Sequence, residues 1–203
     1  MYPKIRDLIS TLAPAQINEA RKLLLDPIVE YVQQKVDNRQ PILLNFICTH
    51  NSRRSHLAQI WAQTAASYYG IPMVQCYSGG TEATQLFPKI AETLSQQGFK
   101  TLKLSESSTP IYFFKFSENA FPVVGFSKKW NDEFNPYSSF AAIMTCSEAD
   151  SDCPYIPGAE KRFVLSYQDP KSSDQTPEQT QVYAQRSLQI AAELFYIFSK
   201  INA

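Results

Sequence analysis

Short, nearly continuous apolar runs alternate along the chain with segments in which apolar residues recur at helical spacing. Such runs are typical of strands buried on both faces of a sheet, and helices between them favour a parallel arrangement. The predicted strands are residues 42–47, 73–77, 140–145 and 162–167. The predicted helices are residues 54–69, 88–97 and 176–200, the last of which opens on the capping signal Thr-Pro-Glu-Gln. This pattern predicts a three-layer α/β domain with a parallel sheet.

The first forty residues carry helical periodicity with one capping signal inside them. Asp26 followed by Pro27 resembles an N-cap with a first-turn proline, so two helices are predicted to divide at that point. We therefore expect residues 1–40 to form a helical extension that packs on a main domain of residues 41–203.

Residues 110–127 depart from the alternation of helices and strands. Two aromatic-rich runs, residues 111–116 and 121–126, flank the polar residues 117–120. This arrangement is the pattern of a β-hairpin. We expect the hairpin to be an insertion in the main domain.

Composition and charge exclude several classes of function. A chain of 203 residues with 44% hydrophobic content is long enough to bury a full core within one domain. Basic and acidic residues number 19 each, so no general attraction to nucleic acid or to an anionic membrane is expected. The sequence shows no secretion signal and no apolar stretch near the ~20 residues that span a bilayer. These features predict a cytoplasmic protein whose affinity for anions is local.

The four cysteines are Cys48, Cys76, Cys146 and Cys153. They are too few and too unevenly spaced for the disulfide scaffold of a secreted protein. In a reducing compartment such cysteines are buried, catalytic or redox-active. Cys76 lies inside a predicted strand, which favours a core position for it.

The strongest chemical signal is the sequence Cys-Thr-His-Asn-Ser-Arg-Arg-Ser at residues 48–55, between a predicted strand and a predicted helix. A tight loop at this place directs successive backbone amides inward, and the helix N-terminus adds partial positive charge. The loop therefore predicts a socket for a tetrahedral oxyanion. The predicted oxyanion-binding residues are Thr49, His50, Asn51, Ser52, Arg53 and Arg54.

The same loop supplies a nucleophile. The positive field of the socket stabilises a thiolate at Cys48, and the hydroxyl of Ser55 can donate a hydrogen bond to its sulfur. Arg54, six residues after Cys48, can direct two donors to the bound oxyanion. The alternative is an ordinary buried cysteine before an exposed basic turn.

At these residues the chain resembles the low-molecular-weight protein tyrosine phosphatase family and, within it, the thioredoxin-coupled arsenate reductases. The resemblance spans roughly residues 41–200 and implies a flavodoxin-like or phosphatase-like domain. The loop pattern of the family is Cys-x-Gly-Asn-x-x-Arg-Ser, and a histidine replaces its glycine here. The residues that occupy its defined positions are Cys48, Asn51, Arg54 and Ser55.

Three further segments are similar to the family's sequence. Residues 77–82 resemble its Ser-Ala-Gly-x-Glu turn, and residues 87–89 resemble its Asn-Pro-Lys helix start. The pair Asp169-Pro170 resembles its catalytic Asp-Pro. The resemblance implies that Asp169 is a general acid that protonates the leaving oxygen while Cys48 attacks. Considered alone, an Asp-Pro pair is usually a simple turn.

Cys146 and Cys153 lie seven residues apart after a predicted strand. In a helix their sulfur atoms would share one face but lie about 10 Å apart along the axis, too far for a disulfide without unwinding. The spacing resembles the redox segment of the arsenate reductases. It implies that Cys146 attacks the arsenylated Cys48 and that Cys153 then attacks Cys146. A structural zinc site or two inert thiols are the alternatives.

Two activities therefore compete. The hypothesis that we favour is reduction of arsenate to arsenite by a relay of three cysteines, with thioredoxin or a similar dithiol as the reductant. The alternative is hydrolysis of phosphomonoesters, including phosphotyrosine, through a cysteinyl-phosphate intermediate. Residues 169–174 lack the aromatic side chains with which tyrosine phosphatases of this family clamp a phenyl ring. A third hypothesis is an oxyanion sensor that binds without turnover.

Neither activity calls for a cofactor. Many thioredoxin-coupled reductases have a glutamate, associated with a potassium site, where this chain has Gln59. No metal site is assigned for that reason.

Overall fold

The structure is a computed structural model of the chain, and it describes residues 1–12, 17–152 and 155–203. The strands within these ranges are β1 (Ile42–Cys48), β2 (Val74–Gly80), β3 (Lys100–Lys103), β4 (Tyr112–Lys115), β5 (Val123–Gly125), β6 (Phe140–Met144) and β7 (Ala159–Val164). The helices are α1 (Pro3–Thr11), α2 (Glu19–Asp37), α3 (Arg54–Tyr68), α4 (Pro88–Gln96), α5 (Ser147–Asp152) and α6 (Gln179–Ser199). In the part of the chain described, no helix is both long enough and apolar enough to cross a membrane.

The central sheet is parallel and has the strand order β2-β1-β6-β7. Within it, Ile47 of β1 lies opposite Gly79 of β2 and Met144 of β6. Because the strands run in one direction, their carboxyl ends meet at one edge of the sheet. The predicted parallel α/β sheet is confirmed, and the predicted strand before Cys48 ends where the sequence indicated.

The side chains of β1 alternate between two layers of packing. Leu44 and Phe46 are buried in the large hydrophobic cluster that includes α3 and α6. Ile47 faces a smaller cluster on the other side, formed with residues such as Phe140 and Ala149. The sheet is therefore the middle layer of three, and a strand buried on both faces needs the continuous apolar run that the sequence shows.

Helix α2 runs through Pro27 without a break, so the predicted division at Asp26 is wrong. The helix begins instead after Asn18, whose side chain accepts a hydrogen bond from the Arg21 amide at 2.8 Å. The missing amide of Pro27 would have bonded to the carbonyl of Leu23, which lies on an exposed residue where water can bind. The Asp26 carboxylate accepts a tertiary hydrogen bond from the Tyr196 hydroxyl at 2.9 Å.

Both N-terminal helices contribute to the main core. Ile5 of α1 and Leu25 and Val32 of α2 are fully buried, in the same cluster as Leu44 of β1. The boundary at residue 40 stays a prediction, since burial alone does not divide the chain.

A second, antiparallel sheet has the order β3-β4-β5. Its strands β4 and β5 are the predicted hairpin, with Phe114 opposite Val123. Strand β3 was not predicted, because Lys-Thr-Leu-Lys is short, mostly exposed and without an apolar run. The antiparallel sheet therefore begins earlier in the chain than the sequence pattern indicates, and its status as an insertion stays a prediction.

Two predicted boundaries near the C-terminus shift in the structure. Strand β7 begins at Ala159 and ends at Val164, whereas residues 162–167 were predicted. Helix α6 begins at Gln179, so the capping signal at Thr176 was wrong. The Thr176 hydroxyl donates to the Ser173 carbonyl at 2.8 Å, which commits it to the preceding turn instead of the helix amides.

Candidate active site

The loop of residues 49–53 joins the carboxyl end of β1 to the first residue of α3. Asn51 within it has a positive φ of 43°, a conformation that asparagine tolerates better than most residues. Two segments that resembled the family contact this loop. The Glu82 amide donates to the Thr49 carbonyl at 2.8 Å, and the Phe87 amide donates to the Ser52 carbonyl at 3.1 Å. Hydrogen bonds from residues outside the loop therefore hold the Thr49 and Ser52 carbonyls in place.

The backbone amides of this loop differ from its carbonyls in their hydrogen bonding. Within the described ranges, no hydrogen bond joins the amides of residues 49–54 to another group of the chain. Asn51 and Ser52 are nevertheless buried. Since buried amides are almost always paired, this cluster of donors at a helix N-terminus is suited to an acceptor from outside the chain, such as an oxyanion.

A chain of buried hydrogen bonds fixes the direction of the Ser55 hydroxyl. The Lys128 amide donates to Asn51 Oδ1 at 2.9 Å, which leaves the Nδ2 group of Asn51 to donate to Ser55 Oγ at 2.9 Å. Ser55 Oγ lies 3.1 Å from Cys48 Sγ. Because the serine oxygen already accepts from Asn51, its own hydrogen is free to point at the sulfur. This arrangement stabilises a thiolate at Cys48.

Arg54 is buried and lines the same pocket as Cys48, with its guanidinium only partly satisfied. Its Nη1 donates to the Tyr167 carbonyl at 3.0 Å, and its Nη2 lies 2.7 Å from Asp169 Oδ2. Its Nε is buried and has no hydrogen-bond partner within the described residues. An unpaired buried donor on a guanidinium fits a ligand with several acceptor oxygens.

Asp169 stands at the start of a 3-10 turn, Pro170–Ser173, and not at the end of a strand. One oxygen of its carboxylate accepts from the Lys171 amide at 2.9 Å, and the other pairs with Arg54. Cys48, Arg54 and Asp169 line one small pocket together with His50, Ser52 and Arg53. The structure therefore brings together the three groups predicted to attack, to bind the anion and to donate the proton.

The two neighbouring arginines of the loop face different partners. The Arg53 guanidinium donates to the Tyr183 hydroxyl and to Asp174 Oδ2, both at 2.6 Å. Two nitrogen atoms of the Arg53 guanidinium are therefore committed to partners within the chain. Asp174 and Tyr183 were not predicted as partners of Arg53, because they lie more than a hundred positions away in the chain.

His50 occupies the place of the family's glycine and projects its side chain at the rim of the loop. Its Nε2 lies 3.7 Å from the Glu82 carboxylate, and both side chains are well exposed. The loop accommodates the larger residue because the side chain extends into solvent.

Cys146 follows β6 and is fully buried next to the loop. Its sulfur lies 3.5 Å from the Thr49 hydroxyl and accepts a hydrogen bond from the Ala149 amide at 3.4 Å. It belongs to the same packed cluster as Cys48. Burial raises the pKa of the Cys146 thiol, although Thr49, Ala149 and the charge of Arg54 act in the opposite direction. Cys153 lies outside the described residues.

Behind the loop, His56 and Gln59 are buried in a polar network. His56 Nε2 lies 2.9 Å from the Asn51 carbonyl, so this nitrogen carries the hydrogen in the neutral ring. Burial, and then the charge of Lys128, lower the pKa of His56 to about 3. Gln59 donates to the carbonyls of Cys76 and Val124, both at 3.1 Å. In the described residues, no group of three or more His, Cys, Asp or Glu side chains is placed to hold a metal ion.

The chain is similar in sequence to known enzymes. Residues 43–116 match the family model described as low molecular weight phosphotyrosine protein phosphatase. An arsenate reductase of Bacillus subtilis strain 168 is 27% identical over 144 residues, which cover 71% of this chain and 85% of that protein. Arsenate reductase 2 of Staphylococcus epidermidis is 27% identical over 125 residues, which cover 62% of this chain and 76% of that protein.

The fold is also similar to those of solved structures. A low molecular weight protein tyrosine phosphatase from Bacillus subtilis superposes with a TM-score of 0.54 at 15% sequence identity. The superposition covers 78% of this chain and 96% of the other. At this identity the likeness concerns the fold alone.

Proposed function

We propose that this chain, whose residues 43–116 match the low molecular weight phosphotyrosine protein phosphatase family model, belongs to that family and reduces arsenate to arsenite with Cys48 as the nucleophile. One observation carries the proposal. Cys48 and Arg54, whose Nε is unpaired, line one pocket at a loop with unpaired amides, and a second buried thiol, Cys146, belongs to the same packed cluster as Cys48. The relatives named arsenate reductase support the choice of substrate.

The first step is attack of the Cys48 thiolate on the bound arsenate. The arsenate takes the loop amides and Arg54 as its donors, and Arg54 then exchanges Asp169 for the oxyanion. A sulfur–arsenic bond forms while an arsenic–oxygen bond breaks. Asp169, once protonated, delivers its proton to the leaving oxygen, which departs as water.

The second step draws two electrons from the thiols. Cys146 loses its proton and attacks the sulfur of Cys48, which forms a Cys48–Cys146 disulfide. The electron pair of the sulfur–arsenic bond passes to arsenic, and arsenite leaves. The Thr49 hydroxyl and the Ala149 amide lie at hydrogen-bond distance from Cys146 Sγ and stabilise its thiolate during this step.

The last step restores Cys48. Cys153 attacks Cys146 and releases the Cys48 thiolate, and a dithiol protein such as thioredoxin reduces the resulting Cys146–Cys153 disulfide. The spacing of seven residues between these cysteines supports this step. A reducing cytoplasm would keep all three thiols available, and that location stays a prediction.

The second candidate function is hydrolysis of phosphomonoesters. The family model and the similar fold favour it, because the loop, Arg54 and Asp169 suffice for a cysteinyl-phosphate intermediate. Water would then release phosphate without Cys146. The turn after Asp169 reads Pro-Lys-Ser-Ser-Asp and has no aromatic side chain to hold a phenyl ring, which favours a small inorganic oxyanion.

The variant Cys146→Ser distinguishes arsenate reduction from phosphomonoester hydrolysis. Reduction should stop, because serine cannot form the disulfide that takes the electrons, whereas hydrolysis of p-nitrophenyl phosphate should continue. The measurement is arsenate-dependent oxidation of NADPH in a thioredoxin-coupled assay, beside aryl-phosphate hydrolysis on the same preparation. Cys76→Ser is the matched control, since Cys76 is a buried cysteine in the main core. Arsenate turnover that survives Cys146→Ser would reject the reductase mechanism.

A further inference from the structure

We infer that Arg53, Asp174 and Tyr183 form a clamp that holds the general-acid turn over Cys48, and that Arg53 and Asp174 are positioning residues for Asp169. The inference rests on the proposed function, because it assigns these groups a purpose only if Asp169 delivers a proton. Residue 53 is one of the unspecified positions of the loop pattern, so the resemblance assigns it no role.

The clamp is a closed set of charge-assisted contacts. Arg53 Nε donates to the Tyr183 hydroxyl at 2.6 Å, and Nη2 donates to Asp174 Oδ2 at 2.6 Å. The Tyr183 hydroxyl in turn donates to Asp174 Oδ1 at 2.6 Å. The guanidinium also lies over the Phe87 ring, 4.1 Å from its centroid. Since the Arg53 and Asp174 side chains are only 12% and 21% exposed, the pair is well shielded from water.

The clamp and the Arg54–Asp169 ion pair hold opposite ends of the same turn. Asp169 precedes the 3-10 turn Pro170–Ser173, and Asp174 follows it. Consecutive arginines of the loop meet these two aspartates, with Arg53 on Asp174 and Arg54 on Asp169. The turn is itself braced, because the Asp174 amide donates to the Lys171 carbonyl at 3.0 Å.

The Arg54–Asp169 and Arg53–Asp174 ion pairs respond differently when an oxyanion binds. Arg54 must turn donors toward the anion, which weakens its hold on Asp169. Arg53 holds Tyr183 through Nε and Asp174 through Nη2, with its guanidinium over the Phe87 ring, and it need not give up these contacts for the anion. The Arg53 clamp therefore keeps the turn in place at the moment when Asp169 is released to take up a proton.

The two aspartates also differ in how they hold charge. Partial burial acts to raise the pKa of Asp174, but hydrogen bonds from Tyr183 and Gln179 and the charge of Arg53 lower it overall. Asp174 thus stays ionised and anchored across neutral pH. Asp169 is the more exposed of the two, at 35% of its side chain.

The test compares aryl phosphates whose leaving groups differ in their need for a proton. Phenyl phosphate has a poor leaving group and p-nitrophenyl phosphate a good one, so a misplaced acid slows the first more than the second. For Asp174→Asn we expect the ratio of the two kcat/KM values, phenyl over p-nitrophenyl, to fall about tenfold to a hundredfold, as for a small misplacement of a catalytic group. Inhibition by inorganic phosphate should keep its wild-type constant, since the amides and Arg54 are intact.

Tyr183→Phe, which removes one contact of the clamp, should give a smaller fall in the same ratio. Lys35→Gln is the matched control, because it breaks a 2.6 Å ion pair with Glu160 far from the loop and should leave the ratio unchanged. Asp169→Asn should lower the ratio most, and adding Asp174→Asn to it should cause no further fall.

Each outcome bears on one claim. A lowered ratio in Asp169→Asn with an unchanged ratio in Asp174→Asn would overturn the clamp alone. An equal loss on both substrates, or a weaker phosphate constant in Asp174→Asn, would mean that these residues shape the socket and would also overturn the clamp. An unchanged ratio in Asp169→Asn would overturn the acid role in the proposed function, and the clamp with it.

Discussion

At the scale of single residues, the direction of one hydroxyl hydrogen decides how the nucleophile is activated. The Lys128 amide fixes the orientation of the Asn51 side chain, and Asn51 then donates to the Ser55 oxygen, which leaves the Ser55 hydrogen free to bond to Cys48. A hydrogen bond to a charged group contributes about 1.5–3 kcal/mol. The activation of Cys48 therefore depends on a residue 80 positions further along the chain.

Ser55→Ala should slow the modification of Cys48 by iodoacetamide at pH 7 by about tenfold, since the thiolate loses its hydrogen-bond donor. The rate is followed by mass spectrometry of the peptide that contains Cys48. Ser187→Ala serves as the control, because Ser187 is a buried serine in α6 that bonds to Trp61 and Gln97. Equal rates for wild type and Ser55→Ala would show that the hydroxyl does not support the thiolate.

Whether a site residue could be predicted depends on how far away its partners lie in the chain. The spacing of Cys48, Arg54 and Ser55 within one strand-to-helix loop allowed their prediction, because local geometry brings such residues together. The contacts of Arg53 with Asp174 and Tyr183 join positions 121 and 130 apart. No local pattern carries that information, since it depends on where the last turn and α6 pack.

At the scale of elements, long apolar runs predicted the strands better than capping signals predicted the helix ends. β1 and β6 are buried at nearly every position, so their runs were unambiguous. Capping signals failed at Asp26 and Thr176, where the polar side chain bonds to a tertiary or preceding partner instead. The same residue types serve both purposes, and only packing decides between them.

Because α2 is continuous, replacing Pro27 tests whether this proline lowers the stability of the protein. Pro27→Ala should raise the free energy of unfolding by roughly 1–3 kcal/mol, because it restores one helical hydrogen bond and removes the clash of the ring. Denaturant unfolding monitored by circular dichroism measures the change. Pro3→Ala is the comparison, since Pro3 lies in the first turn of α1 and its replacement should have little effect. A destabilised Pro27→Ala protein would indicate that a helix starts at this proline after all.

The outer edge of β2 shows how side chains replace a missing neighbouring strand. Gln63 accepts from the Cys76 amide at 3.0 Å, and Gln59 donates to the Cys76 carbonyl at 3.1 Å. Asn135 donates to the Ser78 carbonyl at 3.0 Å. Exposed edge strands pair readily with other chains, so these amide side chains protect the sheet from such pairing. Gln59 consequently has a structural task in this chain.

At the scale of the whole molecule, distant segments converge on the carboxyl edge of the parallel sheet. The end of β1 supplies Cys48, the end of β6 supplies Cys146, and the turn before α6 supplies Asp169. The Thr145 amide donates to the Ile47 carbonyl at 2.7 Å, which brings the segments that carry the two cysteines side by side. The parallel sheet was predictable from sequence and explains this convergence. The strand order and the contacts of residues 1–40 were not, because they are set by long-range packing.

Electrons that pass from Cys48 and Cys146 to arsenate must leave a disulfide between these cysteines, and trapping that disulfide tests the proposed reduction. The variant Cys153→Ser is exposed to arsenate, and its peptides are mapped by mass spectrometry without reduction. We expect a trapped Cys48–Cys146 disulfide after about one turnover, because the thiol that resolves it is missing. Reduced Cys48 and Cys146 after arsenate exposure, in a preparation that still hydrolyses p-nitrophenyl phosphate, would rule out the cysteine relay.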